Sequence, residues 1–235
     1  MILAAGIEEK NKGTLYIVGT PIGNLEDITI RALKVLREVS FIACEDTRQT
    51  IKLLNKYKIK KKLISYYQPK EEKKIPYIIS LLEKGYDGAL VSDAGTPGIS
   101  DPGYKLIVRA LEKNIKIVPV PGPTALITAL CASGMPTDRF LFIGFPPKKK
   151  IALGKLLDSL KEEKGTLIFY QSAKRLIPFL EEVKQALGNR EIVIARELTK
   201  IHEEFLRGKT EDIISLLRDK ILKGELVILI KGKKD

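Results

Sequence analysis

Glu45, Asp46 and Arg48 fall within one four-residue window, directly behind the apolar run Phe41-Ile42-Ala43-Cys44. A carboxylate can accept a proton or orient a hydroxyl. A guanidinium stays charged and offers phosphate a planar fork. The plain alternative is a structural ion-pair cluster. A second stretch, Ser92 to Gly103, holds three glycines and two prolines together with Asp93, Ser100 and Asp101. Glycine lets the backbone take positive φ and approach a ligand closely, and proline stiffens what remains. The stretch exceeds the usual βα connection of about two to six residues, and long loops of this kind tend to be functional.

Both stretches need a strand to present them. Gly88-Ala89-Leu90-Val91 is a short apolar run that reads as a buried parallel strand, and helical spacing resumes at Tyr104. A first strand over 14–18 runs into a second glycine-proline loop, Gly19 to Leu25. Asp27 is expected to cap the helix that follows, with Ile30, Leu33, Leu36 and Val39 on its apolar side. The second strand is expected beside the first. A helix over 50–57, a strand over 63–65, a polar loop over 68–74 and a helix over 77–84 come next. A fifth strand over 116–120 ends in Pro121-Gly122-Pro123-Thr124, which opens a small-residue helix expected to be buried. Alternation of strand and helix predicts a parallel, doubly wound sheet with four polar or glycine-rich loops at its carboxyl edge.

The rest of the chain starts again after 134–138, read as a linker. Its strands come closer together, at 139–145, 166–170, 192–195, 203–206 and 226–230, with helices over 152–163, 173–187 and 210–222. That spacing predicts a mixed sheet. The fold class is therefore α/β in two domains, 13–133 and 139–235, behind an extension at 1–12 that reads as no signal peptide.

The formal net charge of +12 suggests a polyanionic partner, with lysines clustered at Lys60, Lys61 and Lys62 and at Lys148, Lys149 and Lys150. A lysine-rich surface of the heat-adapted kind is the competing account. Cys44 and Cys131 are expected as reduced core residues of a cytoplasmic protein. His202 is the only histidine, so a histidine metal site or a Ser-His-Asp triad would rest on it alone. No metal and no membrane span are expected.

Six motifs stand in order: Thr20-Pro21-Ile22-Gly23-Asn24-Leu25, Glu45-Asp46-Thr47-Arg48, Ser92-Asp93-Ala94-Gly95-Thr96-Pro97, Ser100-Asp101-Pro102-Gly103, Pro121-Gly122-Pro123, and Ala195-Arg196-Glu197-Leu198-Thr199-Lys200. Together they resemble the tetrapyrrole-methylase superfamily. Within it they resemble the branch that methylates a cytidine ribose of 16S ribosomal RNA at its 2′-oxygen. The resemblance runs from about Gly13 to about Gly232. It implies S-adenosylmethionine (AdoMet) in a cleft between two α/β domains, usually in a homodimer. It also implies a substrate in the decoding region of the small ribosomal subunit.

Carried over position by position, the resemblance assigns Pro21, Ala94, Gly95, Thr96, Ile99, Thr124 and Ala125 to the cofactor, with Gln171 and Leu198 facing its adenosine. Relatives working on tetrapyrroles carry Gly-Asp-Pro where this chain has Gly95-Thr96-Pro97, so Asp101 is the substitute carboxylate. Close relatives carry Glu at Gln171, and often a His-Asn-Glu-like run where this chain has Tyr66 to Glu71. Glu45, Asp46, Arg48 and Asp101, expected at the same edge of the sheet, are the catalytic candidates. Arg48 would grip RNA phosphate or ribose, and a nearby carboxylate would orient or deprotonate the hydroxyl. Glu197 and Lys200 stand between a site role and a surface or interdomain pair. Three other functions compete. A tetrapyrrole methyltransferase would need the missing Gly-Asp-Pro. A nucleotide-dependent oxidoreductase would need Gly-x-Gly-x-x-Gly, which Gly19 to Asn24 does not match. A non-enzymatic ribosome-assembly factor would explain the lysines but not four ligand-type loops on one edge.

Overall fold

Short runs of Val, Ile and Leu form the strands of a first sheet: β1 (Thr14–Val18), β2 (Phe41–Cys44), β3 (Lys62–Ser65), β4 (Gly88–Val91) and β5 (Lys116–Val120). All pairs are parallel, in the order β3-β2-β4-β1-β5. Parallel strands need crossovers, and four helices supply them: α1 (Ile30–Glu38), α2 (Thr47–Lys56), α3 (Glu71–Glu83) and α4 (Tyr104–Glu112). Ala32, Val35 and Leu36 of α1 and Leu53 and Leu54 of α2 pack with Val18, Ile42 and Val91 on one face. Ile75, Ile78 and Leu82 of α3 and Leu106 and Ala110 of α4 pack with Leu15, Ala43 and Leu90 on the other. The sheet is doubly wound. This computed structural model describes residues 12–68, 71–218, 220 and 222–233. The extension read over 1–12 therefore lies, Lys12 apart, outside the described residues.

The second sheet runs β6-β7-β10-β8-β9, built from β6 (Phe140–Gly144), β7 (Thr166–Ser172), β8 (Glu191–Arg196), β9 (Glu204–Lys209) and β10 (Glu225–Ile230). Only β6 and β7 pair in parallel among its named strands, so the sheet is mixed as expected. Helices α6 (Lys150–Ser159), α7 (Leu176–Leu187) and α8 (Thr210–Leu217) build a core with Leu167, Phe169, Ile194 and Ile228.

Several expectations are revised. The chain divides into compact units Met1–Thr124 and Ala125–Asp235, ahead of the 134–138 stretch. Helix α5 (Ala125–Ser133) packs on β10 and β8. Arg207 of β9 donates to the carbonyls of Ala132 at 2.7 Å and Ser133 at 3.3 Å, which ties the end of α5 to the second sheet. Only one face of α5 is buried, and Cys131 is exposed while Cys44 is fully buried. Asp27 lies in a 3-10 turn. The cap of α1 is Thr29, whose Oγ1 accepts from the Ala32 amide at 3.0 Å. Ile30 points out to solvent. The polar stretch 71–74 is the first turn of α3: Glu71 is buried because Lys105 reaches its Oε1 at 2.9 Å. Strand β2 lies beside β4, which separates it from β1.

Candidate active site

The helices after β1 and β4 cover opposite faces of the first sheet, so the loops behind these neighbouring strands part and open a crevice. Their backbones cross it in a reciprocal pair. The Thr20 amide donates to the Gly95 carbonyl at 2.9 Å and the Gly95 amide to the Thr20 carbonyl at 3.1 Å. Thr20 Oγ1 also donates to the Ser92 carbonyl at 3.1 Å. Gly95 holds φ +83°, a conformation that side chains rarely adopt. On the other side, Gly19 meets the loop after β5. A Cβ on Gly19 would stand 2.8 Å from Gly122 Cα. Pro21, Gly95, Thr96 and the Pro123 region thus form one backbone-lined cradle at the sheet's carboxyl edge. Pro21 is buried, whereas Ala94 and Ile99 are exposed. Thr124 is half-buried at the end of this unit, and Ala125, also half-buried, begins α5.

Beside the cradle the edge turns acidic. The β2–β4 register pairs Cys44 with Val91, which sets Glu45 level with Ser92 and Asp46 level with Asp93. The Asp46 amide donates to Asp93 Oδ1 at 3.0 Å. Partial burial pushes the Glu45 carboxyl up to about 7, helped by the charges of Asp101, Asp93 and Asp46. Burial likewise raises Asp93, with Asp46 adding repulsion. Asp93 was not among the candidates read from sequence, because only the adjacency of β2 and β4 brings it to Glu45.

Asp46 is the exception in this group. Its Oδ1 accepts from the Arg48 amide at 2.8 Å, which caps α2. Its Oδ2 takes Arg48 Nη2 at 2.6 Å, and Arg48 Nε lies 3.0 Å from Oδ1. These bonds hold Asp46 down at about 2. Arg48 remains 86% exposed on its side chain. The edge therefore carries one fixed anion under an exposed guanidinium and one carboxyl that titrates near neutrality. The first suits gripping a phosphate. The second suits taking a proton from a hydroxyl.

In the second unit, Gln171 is buried on β7. Its Oε1 accepts from the Ser172 amide at 3.0 Å, while its Nε2 is buried with no hydrogen-bond partner among the described residues. A buried donor left unmatched is costly, and a ligand acceptor would match it. Leu198 is buried between Glu197 and Thr199, both at positive φ, 49° and 64°. Glu197 Oε1 accepts from the Glu225 amide at 3.1 Å and from Lys200 Nζ at 3.0 Å. The geometry explains this pair as a tie between the loop after β8 and the start of β10. Of the lysine clusters, Lys62 bonds Tyr77 at 2.9 Å and Lys150 pairs with Glu182 at 2.9 Å. Lys60, Lys148 and Lys149 are exposed. Among the described residues no group of His, Cys, Asp and Glu is placed to hold a metal ion, and no helix is long and apolar enough to cross a membrane.

Fold and edge define an α/β protein of two units with a ligand-type cradle and an acidic cluster at the carboxyl edge of its parallel sheet. The chain belongs to the Tetrapyrrole (Corrin/Porphyrin) Methylases, whose model matches residues 14–214. Among its relatives, the Ribosomal RNA small subunit methyltransferase I of Thermotoga maritima is 50% identical over 222 residues, 94% of this chain and 100% of that protein. The protein of the same name from Halalkalibacterium halodurans is 49% identical over 225 residues, 96% of this chain and 78% of that one. Among solved structures, diphthine synthase superposes with a TM-score of 0.74 at 13% identity, covering 94% of this chain and 91% of that one. Cobalt precorrin-4 methyltransferase superposes with 0.68 at 19% identity, covering 97% and 98%. These two likenesses establish the fold.

Proposed function

We propose that this chain transfers a methyl group from AdoMet to the 2′-hydroxyl of a cytidine ribose in the decoding region of 16S ribosomal RNA. The observation that carries the proposal is Glu45, a carboxyl held near neutral pKa at the same sheet edge as a backbone-lined cradle. The names and identities of the relatives support the RNA substrate. The absence of Gly-Asp-Pro at Gly95-Thr96-Pro97 speaks against a tetrapyrrole substrate. The same resemblance makes a cytoplasmic homodimer part of the proposal.

The chain's residues fit the cofactor. The left-handed Gly95 leaves no side chain over the cradle, and the orphaned Gln171 Nε2 offers a donor for an adenosine acceptor. Pro21, Ala94, Gly95, Thr96, Ile99, Thr124 and Ala125, with Gln171 and Leu198, would hold AdoMet. Bound there, it supplies an electrophilic methyl on a sulfonium. Fixing the ribose oxygen in line with that methyl can lower the barrier by about 7–11 kcal/mol. Glu45 accepts the hydroxyl proton, a general-base contribution of roughly 10²–10⁴-fold. Partial burial, helped by the charges of Asp101 and Asp93, keeps Glu45 basic enough for this. Asp46 fixes Arg48, and Arg48 binds the RNA phosphate or ribose.

The test is transfer of tritium from labelled AdoMet to undermethylated small subunits, followed by nuclease mapping. Label on a cytidine ribose is the expected result. Label on a base, or none, refutes the assignment.

A further inference from the structure

In a regular strand Phe142 and Phe145 would face opposite ways, because side chains alternate. Here both rings lie against Tyr170. The centroid of Phe142 is 4.9 Å from that of Tyr170 and the centroid of Phe145 is 5.6 Å from it, both edge-on. The cause is local. The β6–β7 register shifts between Phe142 and Gly144, and Gly144 takes φ +76°. Such bulges re-aim a side chain. The result is an unusual exposure: Phe145 is 64% open to solvent.

The turn that carries Phe145 is stiff. Pro146 and Pro147 follow it, Arg175 Nη2 donates to the Pro147 carbonyl at 3.2 Å, and Lys150 is tied to Glu182. Lys148 and Lys149 lie between these anchors, both exposed. A rigid aromatic face flanked by exposed cations is the arrangement that takes an unpaired nucleotide, base on the ring and phosphate on the lysines.

We propose that Phe145, backed by Tyr170 and Phe142, is a stacking platform for an unpaired base of single-stranded RNA, with Lys148 and Lys149 holding the adjoining phosphates. This rests on the RNA reading above and extends it to a second point on the substrate. Charge decides between occupants. The exposed cations of Lys148 and Lys149 beside the ring complement the phosphates that RNA brings.

The test compares wild type, Phe145→Ala, Phe145→Trp and the double variant Lys148→Gln/Lys149→Gln. Each is titrated with a fluorescent single-stranded RNA dodecamer and with the same strand annealed to its complement. Phe145→Ala should weaken single-strand binding by at least about fivefold, the low end for one base–aromatic stack, with the salt slope unchanged. Phe145→Trp should restore it. The lysine variant should lower the slope of log K against log salt by roughly 0.7 for each phosphate that its side chains no longer neutralise. AdoMet affinity by calorimetry should stay at the wild-type level in every variant. Phe145→Ala that binds the strand as tightly as wild type overturns the platform, and so does one that only changes the sedimentation of the protein, which would mark a face between copies. These outcomes separate from failure of the proposed reaction. Wild type that binds the strand through Phe145 yet methylates no ribosomal RNA keeps the platform and removes the reaction. Wild type that methylates while Phe145 proves irrelevant does the reverse.

Discussion

Replacing Glu45 with glutamine removes one carboxylate from a group of four while keeping the side chain's shape. The wild-type carboxyl sits at about 7, raised from 4.5 by burial and by Asp101, Asp93 and Asp46. It is then about one-tenth ionised at pH 6 and about nine-tenths at pH 8. A base of that pKa makes kcat/KM climb roughly tenfold between those values, with a slope near one below pH 7. An unperturbed glutamate would be almost wholly ionised throughout and give a flat profile. Glu45→Gln should lower the rate by about 10²–10⁴-fold and flatten what remains. The stability effect has the opposite sign. A raised carboxyl pKa means the native state holds more protons than the unfolded one between about 4.5 and 7. Glu45 therefore contributes less to stability as pH climbs through that window. Glu45→Gln should gain stability relative to wild type at pH 8 and lose that advantage at pH 5. The assays are steady-state methyl transfer to undermethylated small subunits from pH 5.5 to 8.5, and urea unfolding at the two pH values. A flat wild-type profile, or full activity in the variant, would refute Glu45 as the base.

Arg48→Ala should keep AdoMet affinity within a few-fold while methylation falls on the order of 10²-fold, with lysine a poor substitute because a point charge lacks the fork; full activity would leave Arg48 as a structural partner of Asp46. Gly19→Ala should lower stability by about 1–3 kcal/mol through its collision with Gly122, read by urea unfolding. Gly154→Ala in α6, where a Cβ meets nothing within 4 Å, should raise stability by roughly 0.5–1 kcal/mol and serves as its control. Gln171→Leu removes an unmatched buried donor together with the acceptor of the Ser172 amide, two opposed effects that should leave stability within about 1 kcal/mol of wild type, yet it should weaken AdoMet about three- to tenfold through the missing hydrogen bond; unchanged calorimetric affinity would take Gln171 out of the cofactor site.

How much of this was legible in the sequence follows from how local each signal is. Strand runs such as Phe41–Cys44 and loops such as Ser92 to Gly103 announce themselves within a few residues, so the alternation and both sheet types could be read. The turn at Glu71 could not, because its burial depends on Lys105, a long-range ion pair that a run of charges does not reveal. The affiliation of α5 was hidden for a similar reason: Arg207, far along the chain, holds its end. Glu45, Asp46 and Arg48 were visible as a motif, but which carboxylate titrates near neutrality depends on strand order. The expectation that β2 lies next to β1 left Asp93 out. With β4 as the neighbour, Asp93 joins the group, and its charge adds to the burial that raises Glu45.

The reciprocal bonds between Thr20 and Gly95 have a consequence for how a ligand is received. Each amide is matched by the other loop's carbonyl, so the two loops order one another without calling on a ligand for these bonds. A ligand entering the cradle meets a finished surface, and the entropy of arranging these loops is no part of its binding free energy. The amide protons of Thr20 and Gly95 should accordingly exchange slowly in the free protein and only modestly slower in the complex. The heat-capacity change on binding should reflect the ligand's own buried area, without the larger value that folding a segment around it would add.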